Sequence, residues 1–317
     1  MQQVMISAQD NPASHPAPTL ARLGGLWAGR FQAMASPCEV LVESAADERL
    51  ASELVALAAK EAWRIEHKFS RYVSGNVVDR INRSDGRDVR VDEETARLLD
   101  YADQCYRLSD GLFDITSGVL RKVWRFDGSN RVPSRAAVDQ LLPGIGWQRL
   151  RWQAPVLNLP KGMELDLGGI GKEYAVDRTL MLLDQQLKAK DIVRCGLLVN
   201  FGGDLCCTRR WHPDEPWKVG IENHRNSAAS AGMLPLRAGA LATSGDTHRF
   251  LVRNGKRYSH VLNPRTGWPV EQAPHTVTVL APTCTLAGML ATFAMLQGPR
   301  AESFLGEQDG IRYWIRR

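Results

Sequence analysis

The sequence contains no apolar run long enough to span a bilayer and no cysteines spaced as Cys-x-x-Cys. The first absence excludes a helical membrane span. The second argues against a zinc framework or a dithiol redox pair. The six cysteines, Cys38, Cys105, Cys195, Cys206, Cys207 and Cys284, sit mostly among apolar neighbours, where cysteine behaves as a small core residue. Blocks of like charge are missing too: Lys and Arg are spread along the chain and the net charge is only +5, so no nucleic-acid surface is expected. Residues 1–21 are polar and rich in Pro, Ser and Ala, with no charged-then-apolar leader pattern and no lipid-anchoring Cys. These absences lead us to expect a cytoplasmic protein with a flexible N-terminal segment over residues 1–23, followed by a single domain over 24–317.

With 317 residues, 44% of them hydrophobic and 24% charged, the chain can build an ordinary soluble core. The stretch that organises it is Glu164-Leu-Asp-Leu-Gly-Gly-Ile-Gly-Lys-Glu-Tyr-Ala-Val-Asp177. Met163, Leu165 and Leu167 alternate with Glu164 and Asp166, which predicts a strand. Three glycines follow, and Tyr174, Val176, Leu180, Leu183 and Leu187 then fall at helical spacing. A strand, a glycine turn and a helix start gather backbone N–H groups and a positive dipole end at one spot, a geometry suited to a phosphate or diphosphate. The stretch is neither a Walker loop nor a dinucleotide fingerprint, since Glu173 follows Lys172 and Tyr174 stands three residues after Gly171. Such turns also serve plain packing, so both readings stand at this level.

Elsewhere the pattern predicts a short strand over Cys38–Glu43 and amphipathic helices over Leu50–Phe69 and Glu93–Leu108. An apolar helix over Cys284–Leu296 has Thr285 and Thr292 as its few polar positions. Leu197-Leu-Val-Asn-Phe-Gly-Gly-Asp204 repeats the device of a strand ending in a glycine turn with a carboxylate, and further strands fall at 217–221, 241–246 and 276–280. Tyr72, in a polar loop after a helix, is placed to stack on an aromatic ligand or to stand idle at the surface. Asp114 and Thr116 flank apolar residues, which signals a hydrogen-bonding task or plain capping. Strands with interspersed helices and no internal repeat give an α+β fold.

Taken together these segments resemble the ApbE family of flavin transferases, which move FMN from FAD onto a protein threonine or serine. The resemblance rests on Met34-Ala-Ser36, Phe69-Ser-Arg-Tyr72 with Asn82, Gly111-Leu-Phe-Asp-Ile-Thr116 and Asp166-Leu-Gly-Gly-Ile-Gly-Lys172 with Ala175-Val-Asp177. It continues through Asn200-Phe-Gly-Gly-Asp204, Thr243-Ser-Gly-Asp246, His260-Val-Leu-Asn-Pro-Arg-Thr-Gly267 and Ala287-Gly-Met-Leu-Ala-Thr292. It implies an ApbE-like α+β domain with mixed or antiparallel sheets flanked by helices. It also implies FAD as substrate, magnesium (Mg2+) as the metal, and an acceptor flavoprotein with a Thr/Ser flavinylation motif as partner.

By the same resemblance Asp166 and His260 are the catalytic positions, with His260 helping to deprotonate the acceptor hydroxyl, a task suited to an imidazole. Met34, Tyr72, Phe113, Asp114, Asp166 and Lys172 become flavin- or FAD-binding positions, and Gly169, through its carbonyl, and Thr292 become metal-contacting positions. Two residues depart from the family pattern. Gly288 stands where an aspartate usually binds the metal, and Glu173 replaces the usual glycine after Lys172. Loss of that carboxylate should weaken the metal unless another acid, such as Asp204, Asp246 or Glu173 itself, reaches in. Glu173 either repels the diphosphate or supplies the missing ligand. A flavin carrier without transferase activity and an FAD diphosphatase are the alternatives to transfer.

Overall fold

The computed structural model describes residues 15–43, 46–192, 194–211, 214–222, 230–246 and 250–317. Eight strands form the main sheet: β1 (Thr19–Leu23), β2 (Leu26–Ala33), β3 (Ser36–Glu43), β4 (Leu197–Phe201), β5 (Asp204–Cys207), β6 (Gly239–Gly245), β7 (Thr276–Ala281) and β8 (Arg312–Arg316). Their order across the sheet is their order in the chain, and every neighbouring pair is antiparallel. The sheet is thus a meander whose longest excursion lies between β3 and β4. Glu43 closes that excursion. Its buried carboxylate accepts from the Gly196 and Trp211 amides, each at 2.7 Å, and from Arg210 Nε at 2.9 Å.

Among the described residues there are four long helices, α1 (Glu48–Phe69), α2 (Glu93–Leu108), α3 (Gly171–Ala189) and α4 (Cys284–Gln297); α1, α3 and α4 pack on the sheet, and α2 adds Leu98, Leu99, Ala102 and Cys105 to the core they share. Asp47 and Asp92 cap the first two by accepting from the Leu50 and Thr95 amides. Period-2 alternation decides what each strand shows to each side. On β4, Leu197, Val199 and Phe201 join the large core under the helices, whereas Leu198 points to a second cluster. The hairpin of Trp217–Glu222 with Ser230–Leu236 covers that second side through Trp217, Val219, Leu234 and Leu236. Helix α1 approaches β2 closely at Gly29, where a Cβ would lie 2.2 Å from Val55 Cγ2, so only glycine fits. A third, smaller cluster holds Leu120, Trp124, Val138 and Leu251, with Trp124 Nε1 donating to the Gly267 carbonyl at 2.8 Å.

Two expectations are corrected. Residues 19–23 are not part of a flexible segment: they form β1, in register with β2 from Thr19↔Arg30 to Leu23↔Leu26, while residues 1–14 lie outside the described chain. The alternating run 163–167 joins no sheet. Met163, Leu165 and Leu167 are buried, but the Leu165 backbone is satisfied by a side chain instead of a neighbouring strand. Asn82 accepts from the Leu165 amide at 2.7 Å and donates to the Leu165 carbonyl at 3.0 Å, and the Asp166 amide reaches Ile115 O. The six cysteines are all unpaired thiols; burial pushes Cys38 up to about 12 and Cys105 up to about 11. Among the described residues no helix is long and apolar enough to cross a membrane.

Candidate functional site

The glycine turn is built around Asp166. Its Oδ1 accepts from the Gly168 amide at 2.9 Å, folding the chain back, and the Gly171 amide then reaches Leu167 O at 2.8 Å to open α3. Among the described residues no side chain caps α3 at Ile170, which leaves the positive end of the helix open there. A side chain at Gly169 would meet the Phe113 ring at 3.2 Å, and Phe113 in turn packs against Phe293 of α4 with ring centroids 5.9 Å apart.

Lys172 stands at the head of α3 with its Nζ 2.8 Å from Asp204 Oδ2. Burial disfavours its charge, but Asp204 outweighs burial and raises the lysine above its ordinary value, so the ammonium persists. The second Asp204 oxygen accepts from the Thr243 amide at 3.1 Å. Two tight turns converge on this pair. Met34 and Ala35 both take left-handed backbone (φ 52° and 54°) between β2 and β3, and a side chain at Gly202 would lie 2.7 Å from Ser36 and 3.7 Å from Lys172 Nζ. The Met34-Ala-Ser36 and Asn200–Asp204 segments, distant in sequence, therefore meet at Lys172.

Helices α3 and α4 run antiparallel and are locked by Asp177. Its carboxylate accepts from the Cys284 and Thr285 amides, each at 2.8 Å, and from Thr285 Oγ1 at 2.6 Å. One turn back on α3 and one turn on along α4, Glu173 lies against Gly288, with its Cγ 2.6 Å from where a glycine Cβ would be. A further turn carries Thr292 toward the Gly168–Gly171 turn, and its hydroxyl is 2.8 Å from Ser244 Oγ on β6. Glu173 is half-buried as a residue, yet its Oε2 is shut off from solvent and meets no donor. Burial first, then Asp204, pushes its carboxyl up to about 8, against the pull of Lys172. The other two acids considered from sequence are engaged: Asp204 as above, and Asp246 with Arg257 (3.1 Å) and His275 (3.3 Å).

On the far side of the turn, Asp166 Oδ2 faces Arg121 Nε at 3.1 Å and Arg71 at 3.4 Å. Arg71 also binds Glu164 and the Gly118 carbonyl, each at 2.8 Å. Tyr72, 77% exposed, presents its ring above this cluster, 5.9 Å from the Arg71 guanidinium, with its hydroxyl 3.4 Å from Arg121. Asp114 is buried and its carboxylate is fully engaged by the chain: it accepts from the Thr116 amide and hydroxyl and from the Trp147 amide. It fixes the loop that carries Phe113. His260 sits after the 256–259 strand of a separate hairpin, its ring edge-on to Phe126 at 6.2 Å, beside the third cluster. The structure thus gathers Met34, Phe113, Gly169, Lys172 and Thr292 about the head of α3, sets Tyr72 and Asp166 on its flank, and leaves His260 on another element. Sequence reasoning gave no role to Arg71, Arg121 or Ser244; Arg121 lies outside every motif and carries no signal in sequence.

A profile of the ApbE family matches residues 34–315. The chain belongs to the ApbE family. Among ApbE relatives, the FAD:protein FMN transferase of Haemophilus influenzae is 25% identical over 79% of this chain and 74% of its own length. One from Klebsiella pneumoniae is 31% identical over 74% of this chain and 71% of its own. Among solved structures, the ApbE protein of Thermotoga maritima superposes with a TM-score of 0.81 at 29% identity, covering 92% of this chain and 94% of that one. The apo flavinyl transferase ApbE of Pseudomonas stutzeri gives 0.75 at 29% identity, covering 94% and 91%. The α+β fold with its antiparallel sheet is therefore the ApbE fold.

Proposed function

We infer that this protein is an FAD:protein FMN transferase, moving FMN from FAD to a threonine or serine hydroxyl of an acceptor flavoprotein and releasing AMP. The observation that carries this reading, beside the family match, is the uncapped head of α3 with Lys172 next to it, a ready site for a diphosphate. In the reaction the acceptor oxygen bonds to the flavin-side phosphorus, the phosphoanhydride bond breaks, and AMP departs with the bonding electron pair. Lys172 and the amides at the start of α3 bind the diphosphate and offset charge gathering on it. Tyr72 supplies an open face for a flat ring. Asp166 holds the turn through Gly168 and fixes the Arg71 and Arg121 guanidiniums beside Tyr72. Met34 and Phe113 wall the pocket, and Asp114 positions Phe113.

The residues present also fit a divalent cation: a buried, donorless carboxylate oxygen of Glu173 and the Thr292 hydroxyl lie on the rows that converge at the Gly169 turn. Magnesium, held there by Thr292, the Gly169 carbonyl and diphosphate oxygens, would supply Lewis-acid stabilisation of the phosphoryl charge. His260 takes the proton from the acceptor hydroxyl in this reading. His260→Ala is then expected to leave FAD affinity intact while slowing transfer by about a hundredfold or more; equal loss of both would make His260 part of the pocket.

The experiment that tests the function is a mass spectrum after incubation with FAD, Mg2+ and an acceptor carrying a Thr/Ser flavinylation motif. An FMN-sized gain on the acceptor with AMP release supports transfer. Free FMN and AMP without acceptor modification would make the protein a diphosphatase, and bound FAD with neither product a flavin carrier.

A further inference from the structure

We propose that Glu173 supplies the metal-binding carboxylate of this site from α3, in the place that position 288 of α4 would otherwise provide, and that the two departures from the family pattern are one compensated exchange. The inference rests on the metal-dependent reading above. Its basis is steric. A Cβ on Gly288 would fall 2.6 Å from Glu173 Cγ, 2.9 Å from its Oε1 and 3.0 Å from its Cδ, so the Glu173 side chain occupies the volume that a residue-288 side chain would fill. Either an aspartate at 288 or a glutamate at 173 can be accommodated, not both without displacement.

The position is held on both sides. Asp177 pins the start of α4 one turn away on the same face of α3, which sets the height at which Glu173 meets α4. Thr292 and Ser244 pair their hydroxyls one turn beyond Gly288 on the other side. Glu173 Oε2 is buried with no donor, a costly arrangement for a carboxylate that has no ligand to serve. The acids nearest to these two helices are otherwise engaged: Asp177 caps α4, Asp204 holds Lys172 and the Thr243 amide, and Asp246 holds Arg257. Among the described residues no three His, Cys, Asp or Glu side chains converge to form a complete metal cage. A single carboxylate completed by a hydroxyl, a carbonyl and substrate phosphate oxygens is the ligand set that magnesium commonly accepts.

The test measures Mn2+ binding to the FAD complex by the loss of the free-ion EPR signal, with no turnover required. Glu173→Gln keeps the volume and removes the charge, so the fold is preserved. Its Mn2+ affinity is expected to fall by about tenfold or more, since even indirect partners of a ligand are typically worth that much. The double variant E173G/G288D moves the carboxylate to α4 and is expected to recover most of the affinity. Unchanged Mn2+ affinity in E173Q, or no FAD-dependent Mn2+ binding by the unaltered protein, overturns the proposal. The functional reading fails separately: Mn2+ binding that depends on Glu173 in a protein that never transfers FMN sinks the transferase assignment and leaves the ligand assignment standing.

Discussion

Tyr72 leaves 77% of its surface in solvent although it is a large aromatic side chain, and the Arg71 and Arg121 guanidiniums beneath it are held by Asp166 and Glu164. An aromatic face backed by fixed cations is already organised for a flat, electron-poor ring, with little ordering left to do on binding. Tyr72→Ala is expected to weaken FAD binding by about 1 kcal/mol, roughly fivefold, read by titration of flavin fluorescence. Unaltered affinity would return Tyr72 to the status of an idle surface residue. Residue identity alone left Asp114 open between ligand binding and capping. In the fold its carboxylate is taken up by Thr116 and Trp147, a choice that depends on Trp147 coming back from 33 positions away.

At the level of elements, the pairing of α3 with α4 decides where Glu173, Gly288 and Thr292 stand, and Asp177 decides that pairing. Asp177→Ala removes the acceptor for two helix-start amides and a hydroxyl, and is expected to cost about 1–2 kcal/mol of stability with an unchanged urea m-value. A wild-type urea midpoint would mean that Thr283, which also accepts from the α4 start, suffices alone. Most elements were legible in the sequence because their patterns are local: the α1, α2 and α4 helices and the strands at 217, 241 and 276 lie where periodicity puts them. The run 163–167 shows the limit. Its alternation correctly marks which side chains are buried, but a ladder partner is a non-local fact, and here Asn82 takes that partner's place. The β1 strand was missed for a similar reason: TLARL, exposed at most of its positions, is ordered by its register with β2 and not by its own composition. The exchange between Glu173 and Gly288 was visible as two oddities, and only the packing of the two helices joins them.

Across the whole molecule, Glu94 of α2 ties three helices together. It accepts from Arg64 (2.6 and 2.8 Å) and Lys68 (2.6 Å) on α1 and from the Tyr174 hydroxyl (2.7 Å) on α3. Burial works to raise its pKa, but Arg64, Lys68 and Tyr174 together bring it from 4.5 down to about 2. Because the folded value lies below the unfolded one, its contribution to stability is complete above the ordinary value of 4.5 and drains away as pH falls toward 2. Glu94→Gln is expected to flatten the acid limb of a melting-temperature profile between those two values, and a limb of unchanged slope would show that other carboxylates, such as Asp92, carry it. The clasp at Glu43 has a consequence for how the chain is made. It seals an excursion of 153 positions from β3 to Gly196, and β3 cannot gain its next neighbour until Phe201 has left the ribosome. Lys172 belongs to that excursion and Asp204 to the strand after it, so their pairing must await the seal. The head of α3 is then among the last parts of the molecule to come into being, since Thr292 joins it from α4 only when all but the final stretch of the chain has been synthesised.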